Sequence, residues 1–89
     1  MLRLTVISQT AEESILKVEG SVSGADVALL EEEGTRLLGA SERLILELKG
    51  VKFIDREGIS LLKRWSRSRL ELREASVFVH ALLEEHGLV

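Results

Sequence analysis

Hydrophobic and polar residues alternate in two stretches near the start of the chain. Leu2, Leu4 and Val6 are each separated by one residue, and after a polar interval residues 15–19 alternate again. A period of two residues is typical of a β-strand with one buried face. The pattern therefore predicts two strands that a turn joins into a hairpin.

The period then changes to that of a helix. Val27, Leu30 and Leu37 fall on one side of a helix predicted over residues 24–38. Gly34 lies inside this helix, where a glycine costs about 1 kcal/mol relative to alanine. We therefore expect Gly34 to mark a place of close packing against the sheet, with a loosely held second half of the helix as the alternative.

The ends of this helix carry ordinary signals. Ser23 stands three residues before Asp26, which predicts a capping box at the start of the helix. Gly39 follows the last apolar residues, in the position typical of a helix end. A helix with these boundaries leaves a short turn before the next apolar run.

The second half of the chain continues the alternation of strands and helices. Consecutive apolar residues predict a central strand over 43–48, because a strand that is covered on both faces does not alternate. A helix over 57–68 and a strand over 69–73 follow. Ser76 is expected to cap a third helix, and Gly87 is expected to end it.

The predicted order of elements is thus β-β-α-β-α-β-α. Helices that connect successive strands form right-handed crossovers and make those strands parallel, while the leading hairpin makes the sheet mixed. We predict an α/β fold of about four strands and three helices, in a single small domain that spans residues 1–89.

Composition narrows the class of protein. The chain has no cysteine, 45% hydrophobic residues and a net charge of −3, which excludes a disulfide scaffold and argues against nucleic acid as a partner. No apolar run approaches the ~18 residues of a membrane-spanning helix, and the first residues enter a strand pattern directly, so we expect a cytoplasmic protein. A domain of this size has a narrow stability margin, which leaves a homodimer open.

The strand-to-helix corner at residues 51–62 carries the most chemistry. Asp55 is suited to accept hydrogen bonds from the free N–H groups of the following helix, and Glu57 adds a negative charge where the helix dipole favours it. Trp65 lies at the border of the helix's apolar arc. We expect it to pack at the edge of the core, with an interface anchor as the alternative.

Basic residues gather after the corner. Lys63, Arg64 and Arg67 lie opposite the apolar arc of the predicted helix, and Arg69 and Arg73 follow on the next strand. We expect a solvated face here. The alternative is a patch that binds phosphate, an acidic partner or a membrane surface.

No catalytic or metal-binding set stands out. Asp55 and Glu57 have no histidine near them in the sequence, and His80 and His86 are six residues apart, which does not place them on one helix face. His80 and Glu84 have the spacing of helical ligands, but no third ligand follows at a proper spacing. We predict that the protein is not an enzyme and binds no metal or cofactor.

The segment that leads into the corner has a characteristic order of residues. Residues 44–55 read Leu-Ile-Leu-Glu-Leu-Lys-Gly-Val-Lys-Phe-Ile-Asp, and Gly58 and an apolar helix follow. Together with the closing residues 75–88, this segment resembles the STAS domain family, which comprises anti-sigma-factor antagonists and the cytoplasmic tails of sulfate transporters. The resemblance covers essentially the whole chain and implies a bacterial regulatory binding module.

The resemblance also implies where a partner binds. In the antagonists, a kinase that is also the anti-sigma factor phosphorylates a serine or threonine just before the glycine. Here this position is Glu57, so we expect a regulator without the phosphorylation switch. The expected partner is an anti-sigma factor or kinase, or a sensor protein. The alternative function is a small cytoplasmic subunit that binds the ATPase of an ABC-type lipid transport system. The residues expected to contact the partner are Asp55, Arg56, Glu57, Gly58, Ser60, Lys63, Arg64 and Arg67.

Overall fold

The helices and strands follow the predicted order. A computed structural model of the protein describes residues 1–66 and 69–89. The elements are β1 (Leu2–Gln9), β2 (Glu13–Val22), α1 (Asp26–Ala40), β3 (Arg43–Ile54), α2 (Arg56–Trp65), β4 (Leu70–Arg73) and α3 (Val77–Glu85).

The four strands form one mixed sheet in the order β1-β2-β3-β4. Strands β1 and β2 are an antiparallel hairpin, whereas β2, β3 and β4 run parallel. The predicted α/β fold and its mixed sheet are confirmed. Strand β3 continues to Ile54, past its predicted end at residue 48, so that it leads directly into the corner.

One face of the sheet and the three helices enclose the hydrophobic core. Leu16 and Val18 of β2 are fully buried on this face, as are Leu44 and Leu46 of β3. Apolar side chains of α1, α2 and α3 join them in one cluster. Since successive side chains of a strand point to opposite faces, the core depends on every second residue of β2 and of the start of β3.

The other face of the sheet carries charged residues beside the buried Ile45. The register aligns Lys17 with Glu47, and Glu47 with Arg73, across three neighbouring strands. Opposite charges that face each other across strands are mutually favourable. Glu47 therefore lies between two cationic side chains on this face of the sheet.

Helix α1 departs from its predicted ends. It runs from Asp26 to Ala40, so Gly39 lies within the helix and does not end it. The predicted capping box is wrong, because the N-cap residue is Ala25 and no side chain caps the helix. The backbone carbonyl of Ser23 accepts the Asp26 N–H at 3.1 Å instead.

Gly34 packs against helix α2 rather than against the sheet. A Cβ atom at Gly34 would lie 2.2 Å from Cη2 of Trp65, so only a glycine allows this indole ring to approach α1. Trp65 is half-buried and packs at the edge of the core, as expected. It is also the last residue of α2; residues 67 and 68 of the longer predicted helix lie outside the described part of the chain.

Candidate interaction site at the start of helix α2

Asp55 fastens the starts of two helices. It is the N-cap residue of α2, and its Oδ1 accepts the N–H of Gly58 at 2.8 Å. Its Oδ2 accepts the N–H of Gly24, just before α1, at 3.0 Å. The bond from Gly24, followed by that from Gly58, lowers the pKa of Asp55 below its ordinary value, because both bonds favour the ionised carboxylate. The predicted cap is confirmed, and the second bond joins two distant parts of the chain.

Gly58 allows α2 to sit directly on the ends of the strands. A Cβ atom at Gly58 would lie 2.7 Å from Cγ2 of Ile54 and 3.0 Å from Cγ1 of Val22. The N–H of Asp55 also donates to the carbonyl of Val22 at 2.9 Å. Gly58 is buried, so it supports the corner by packing and offers little surface of its own.

A groove of about 700 Å³ opens between α1 and α2 beside this corner. Glu57, Ser60 and Arg64 line it from α2 and are exposed. Arg64 Nη2 lies 3.5 Å from Oε2 of Glu31 on α1. An exposed ion pair contributes only about 0–1 kcal/mol. Arg64 can therefore leave Glu31 and pair with another carboxylate with little loss of free energy.

The other predicted contact residues surround this groove. Arg56 and Lys63 are exposed on α2 but do not line it, and Asp55 is half-buried. Arg67 lies outside the described residues. The structure therefore brings Glu57, Ser60 and Arg64 together, since they follow one another at one-turn intervals on α2. Arg56 and Lys63 lie on adjoining faces of the helix.

The basic residues after the corner do not form one surface. Arg69 donates to the carbonyl oxygens of Ser41 at 2.6 Å and Glu42 at 2.9 Å, behind α1. Arg73 pairs with Glu71 on its own strand. Both arginines are exposed, as a solvated face requires, but they lie on or just before β4 and not on the face of α2 that carries Lys63 and Arg64.

Helix α1 supplies residues that the sequence analysis did not connect with the site. Gly24, Ala28 and Glu31 line the groove opposite α2. They are far from α2 in the sequence, so no local spacing relates them to it. The one available signal was charge, because the acidic residues 31–33 on one helix complement the basic residues on the other.

The accessible groups of this site are suited to ion pairs and hydrogen bonds. Its accessible groups are carboxylates, guanidinium groups and one hydroxyl. In residues 1–66 and 69–89, no three metal-ligating side chains cluster. Within the same ranges, no helix is long and apolar enough to cross a membrane.

Known proteins share this architecture. The family model described as Mlab, STAS domain matches residues 5–89, whereas no curated protein matches the chain. The chain is similar to the anti-sigma factor antagonist SpoIIAA in its unphosphorylated form, with 17% identity and a TM-score of 0.73 over 92% of this chain and 82% of that one.

Two further solved structures are similar. An anti-sigma factor antagonist from Mycobacterium paratuberculosis has 16% identity and a TM-score of 0.81 over 99% of this chain and 80% of its own. An antisigma-factor antagonist STAS domain from Rhodobacter sphaeroides has 19% identity and a TM-score of 0.61 over 85% of this chain and 92% of its own. At such identities the similarity establishes the fold.

Proposed function

Because the chain belongs to the STAS domain family, we propose that it is a non-catalytic regulatory domain that binds a protein partner as an anti-sigma-factor antagonist does. The observation that carries this proposal is the pair of hydrogen bonds from Gly24 and Gly58 to Asp55. These bonds hold the starts of α1 and α2 in one geometry. A surface ordered in advance loses less entropy on binding, and the exposed charges around it supply specificity.

Glu57 makes this proposed surface permanently charged. It occupies the first turn of α2, where a negative charge is favourable. It carries about one negative charge, whereas a phosphoserine carries ~1.5–2 and three acceptor oxygens. The domain would therefore bind its partner without a cycle of phosphorylation.

Affinity purification from the source cells tests the surface. We expect the Arg56→Ser and Glu57→Ser variants to lose a partner that the wild type captures. The Arg36→Ser variant is a matched control, because Arg36 is exposed on α1 and pairs only with Glu33 among the described residues. If all four proteins capture the same partners, the surface lies elsewhere.

Incubation with a kinase of the anti-sigma type and labelled ATP tests the absence of a switch. We expect no phosphate on the wild type and phosphate on the Glu57→Ser variant, since that variant restores a hydroxyl at the corner. Phosphate on Ser60 of the wild type would contradict constitutive binding, because Ser60 lines the same groove.

The alternative function is that of a small subunit bound to a transporter ATPase. We keep this alternative because the description of the matching family model names Mlab and does not name an anti-sigma-factor antagonist. The identity of the captured partner separates the two functions: an anti-sigma factor supports regulation, and a transporter ATPase supports transport. Genes beside the one for this chain give a second, independent indication.

A further inference from the structure

A second, more apolar groove of about 320 Å³ lies between α2 and α3, next to the corner. Its floor is formed by Ile54 and Ile59, which are buried. Phe53 and Leu82 form its walls, and Arg56 belongs to its rim. The groove therefore adjoins the proposed partner surface through Arg56 but presents a different chemistry.

Aromatic residues are placed unusually around this groove. The chain has two phenylalanines, and both are exposed: Phe53 by 43% and Phe78 by 59%. Phe78 precedes Leu82 by four residues on α3, so the two lie on one helix face. Single exposed apolar residues are ordinary, but Phe53 lines the apolar groove together with Leu82, and exposed apolar residues grouped in this way are typical of an interaction surface.

The charge at the rim indicates what the groove accepts. Asp55 is the one carboxylate that lines it, and both of its oxygens already accept backbone N–H groups at the starts of two helices. The positive ends of these helix dipoles offset its charge. Arg56 has no carboxylate within ion-pair distance among residues 1–66 and 69–89, so its positive charge is available to a ligand.

We propose that the groove between α2 and α3 holds an apolar side chain of a protein partner, and that an adjacent aspartate or glutamate of this partner pairs with Arg56. This inference rests on the proposed function as a protein-binding domain and adds the chemistry of the partner segment. The apolar side chain supplies affinity by filling the groove, and the carboxylate fixes its orientation.

A titration of the whole protein with two capped dipeptides, followed by ¹H–¹⁵N NMR, tests the proposal. The probes are acetyl-Phe-Glu-amide and acetyl-Phe-Gln-amide. We expect both to shift the signals of Phe53, Ile59 and Leu82, with the glutamate probe binding about 5-fold more tightly, as one exposed ion pair allows. The Arg56→Gln variant should bind the two probes equally.

Variants of apolar residues supply the controls. Phe53→Ser should weaken both probes by about 10-fold, since one large apolar contact is lost, and Leu82→Ala, which also changes a lining residue, provides a second variant if Phe53→Ser does not fold. Leu29→Ser should bind as the wild type does, because Leu29 is 52% exposed on α1, away from the groove.

The outcomes distinguish this inference from the proposed function. Three results would overturn the inference about the groove between α2 and α3. The signals could shift around the α1–α2 groove instead, the wild type could bind the two probes equally, or neither probe could bind. If the corner variants still lose their partner in the affinity purification, the proposed function stands without this groove. If the Glu57→Ser variant keeps the partner, Arg56→Ser loses it and the probes bind as expected, the groove between α2 and α3 stands and the surface at the α1–α2 groove falls.

Discussion

The two ends of helix α1 are each fastened by one charged side chain from a distant part of the chain. At the start, the carboxylate of Asp55 accepts the N–H of Gly24. At the end, the guanidinium of Arg69 donates to the carbonyls of Leu38, Ser41 and Glu42. Each charge has the sign that the helix dipole favours at its end.

The two ends differ in what remains free. Behind the end of α1, the Ser41 hydroxyl donates to the carbonyl of Thr10 and accepts from the Ser14 hydroxyl at 2.6 Å, and both serines are buried. At the start, Glu57 and Ser60 remain exposed beside a groove. Similar bonds therefore build a closed structural joint at one end of α1 and hold an accessible surface at the other.

The largest effect is expected between the two ends, where α1 meets α2. A Gly34→Ala substitution would drive a methyl group into Trp65, so we expect a loss of about 2–3 kcal/mol of unfolding free energy. Gly39 has open space around it on the same helix, and Gly39→Ala should stabilise the protein by about 0.5 kcal/mol. Urea unfolding followed by Trp65 fluorescence measures both. A loss of the same size at both positions would mean that the indole does not clamp the helices.

The Asp55→Ala substitution should affect both stability and binding. It removes two hydrogen bonds, so we expect a loss of about 2 kcal/mol together with loss of the captured partner. Ser76→Ala is the matched control, because among residues 1–66 and 69–89 the Ser76 hydroxyl accepts only the Val79 N–H, at 3.2 Å. The Ser76→Ala variant should lose about 1 kcal/mol of unfolding free energy and still capture the partner. Thermal unfolding and affinity purification give the two readouts, and an Asp55→Ala protein that keeps its partner would contradict the role given to the corner.

Arg69→Ala should weaken the closed end alone. We expect a loss of about 1–2 kcal/mol, because three backbone carbonyls lose an exposed charged donor. Partner capture should not change, since Arg69 makes its bonds at the opposite end of α1 from the groove. Loss of both stability and capture in a variant that remains folded at the assay temperature would show that the two ends are coupled.

The smallest effect is expected from pH. The pKa of Asp55 is lowered in the folded protein, so its contribution is fully present above the ordinary aspartate pKa of about 3.9 and is lost as the pH falls below it through the lowered value. The pKa of Glu71 is also lowered, chiefly by its hydrogen bond with Arg73, so its contribution to stability is likewise lost as the pH falls. Urea midpoints between pH 7 and pH 3 should fall less for Asp55→Asn than for wild type. If the urea midpoints of the two proteins fall equally with pH, Asp55 does not contribute to the pH dependence of stability.

Local patterns predicted most of the fold because the periods of two and of 3.6 residues are properties of short segments. The order of elements, the parallel strands and the Asp55 and Ser76 caps were all readable in this way. The ends of α1 were not. Gly39 was expected to stop a helix that continues to Ala40. The Ser41 N–H bonds to the Leu37 carbonyl, and Arg69, from a distant part of the chain, binds the Leu38 and Ser41 carbonyls.

The sequence by itself determined the family, the elements and the fact that Glu57 offers no hydroxyl at the corner. Only the tertiary structure decided that Asp55 holds α1 as well as α2, that Trp65 rests on Gly34, and that Arg69 closes the far end of α1. The physical reason is distance along the chain. These contacts join residues about 30 positions apart. Asp55 and Arg69 bond to backbone groups, and Trp65 fits because Gly34 has no side chain. No local pattern of residue types records such contacts.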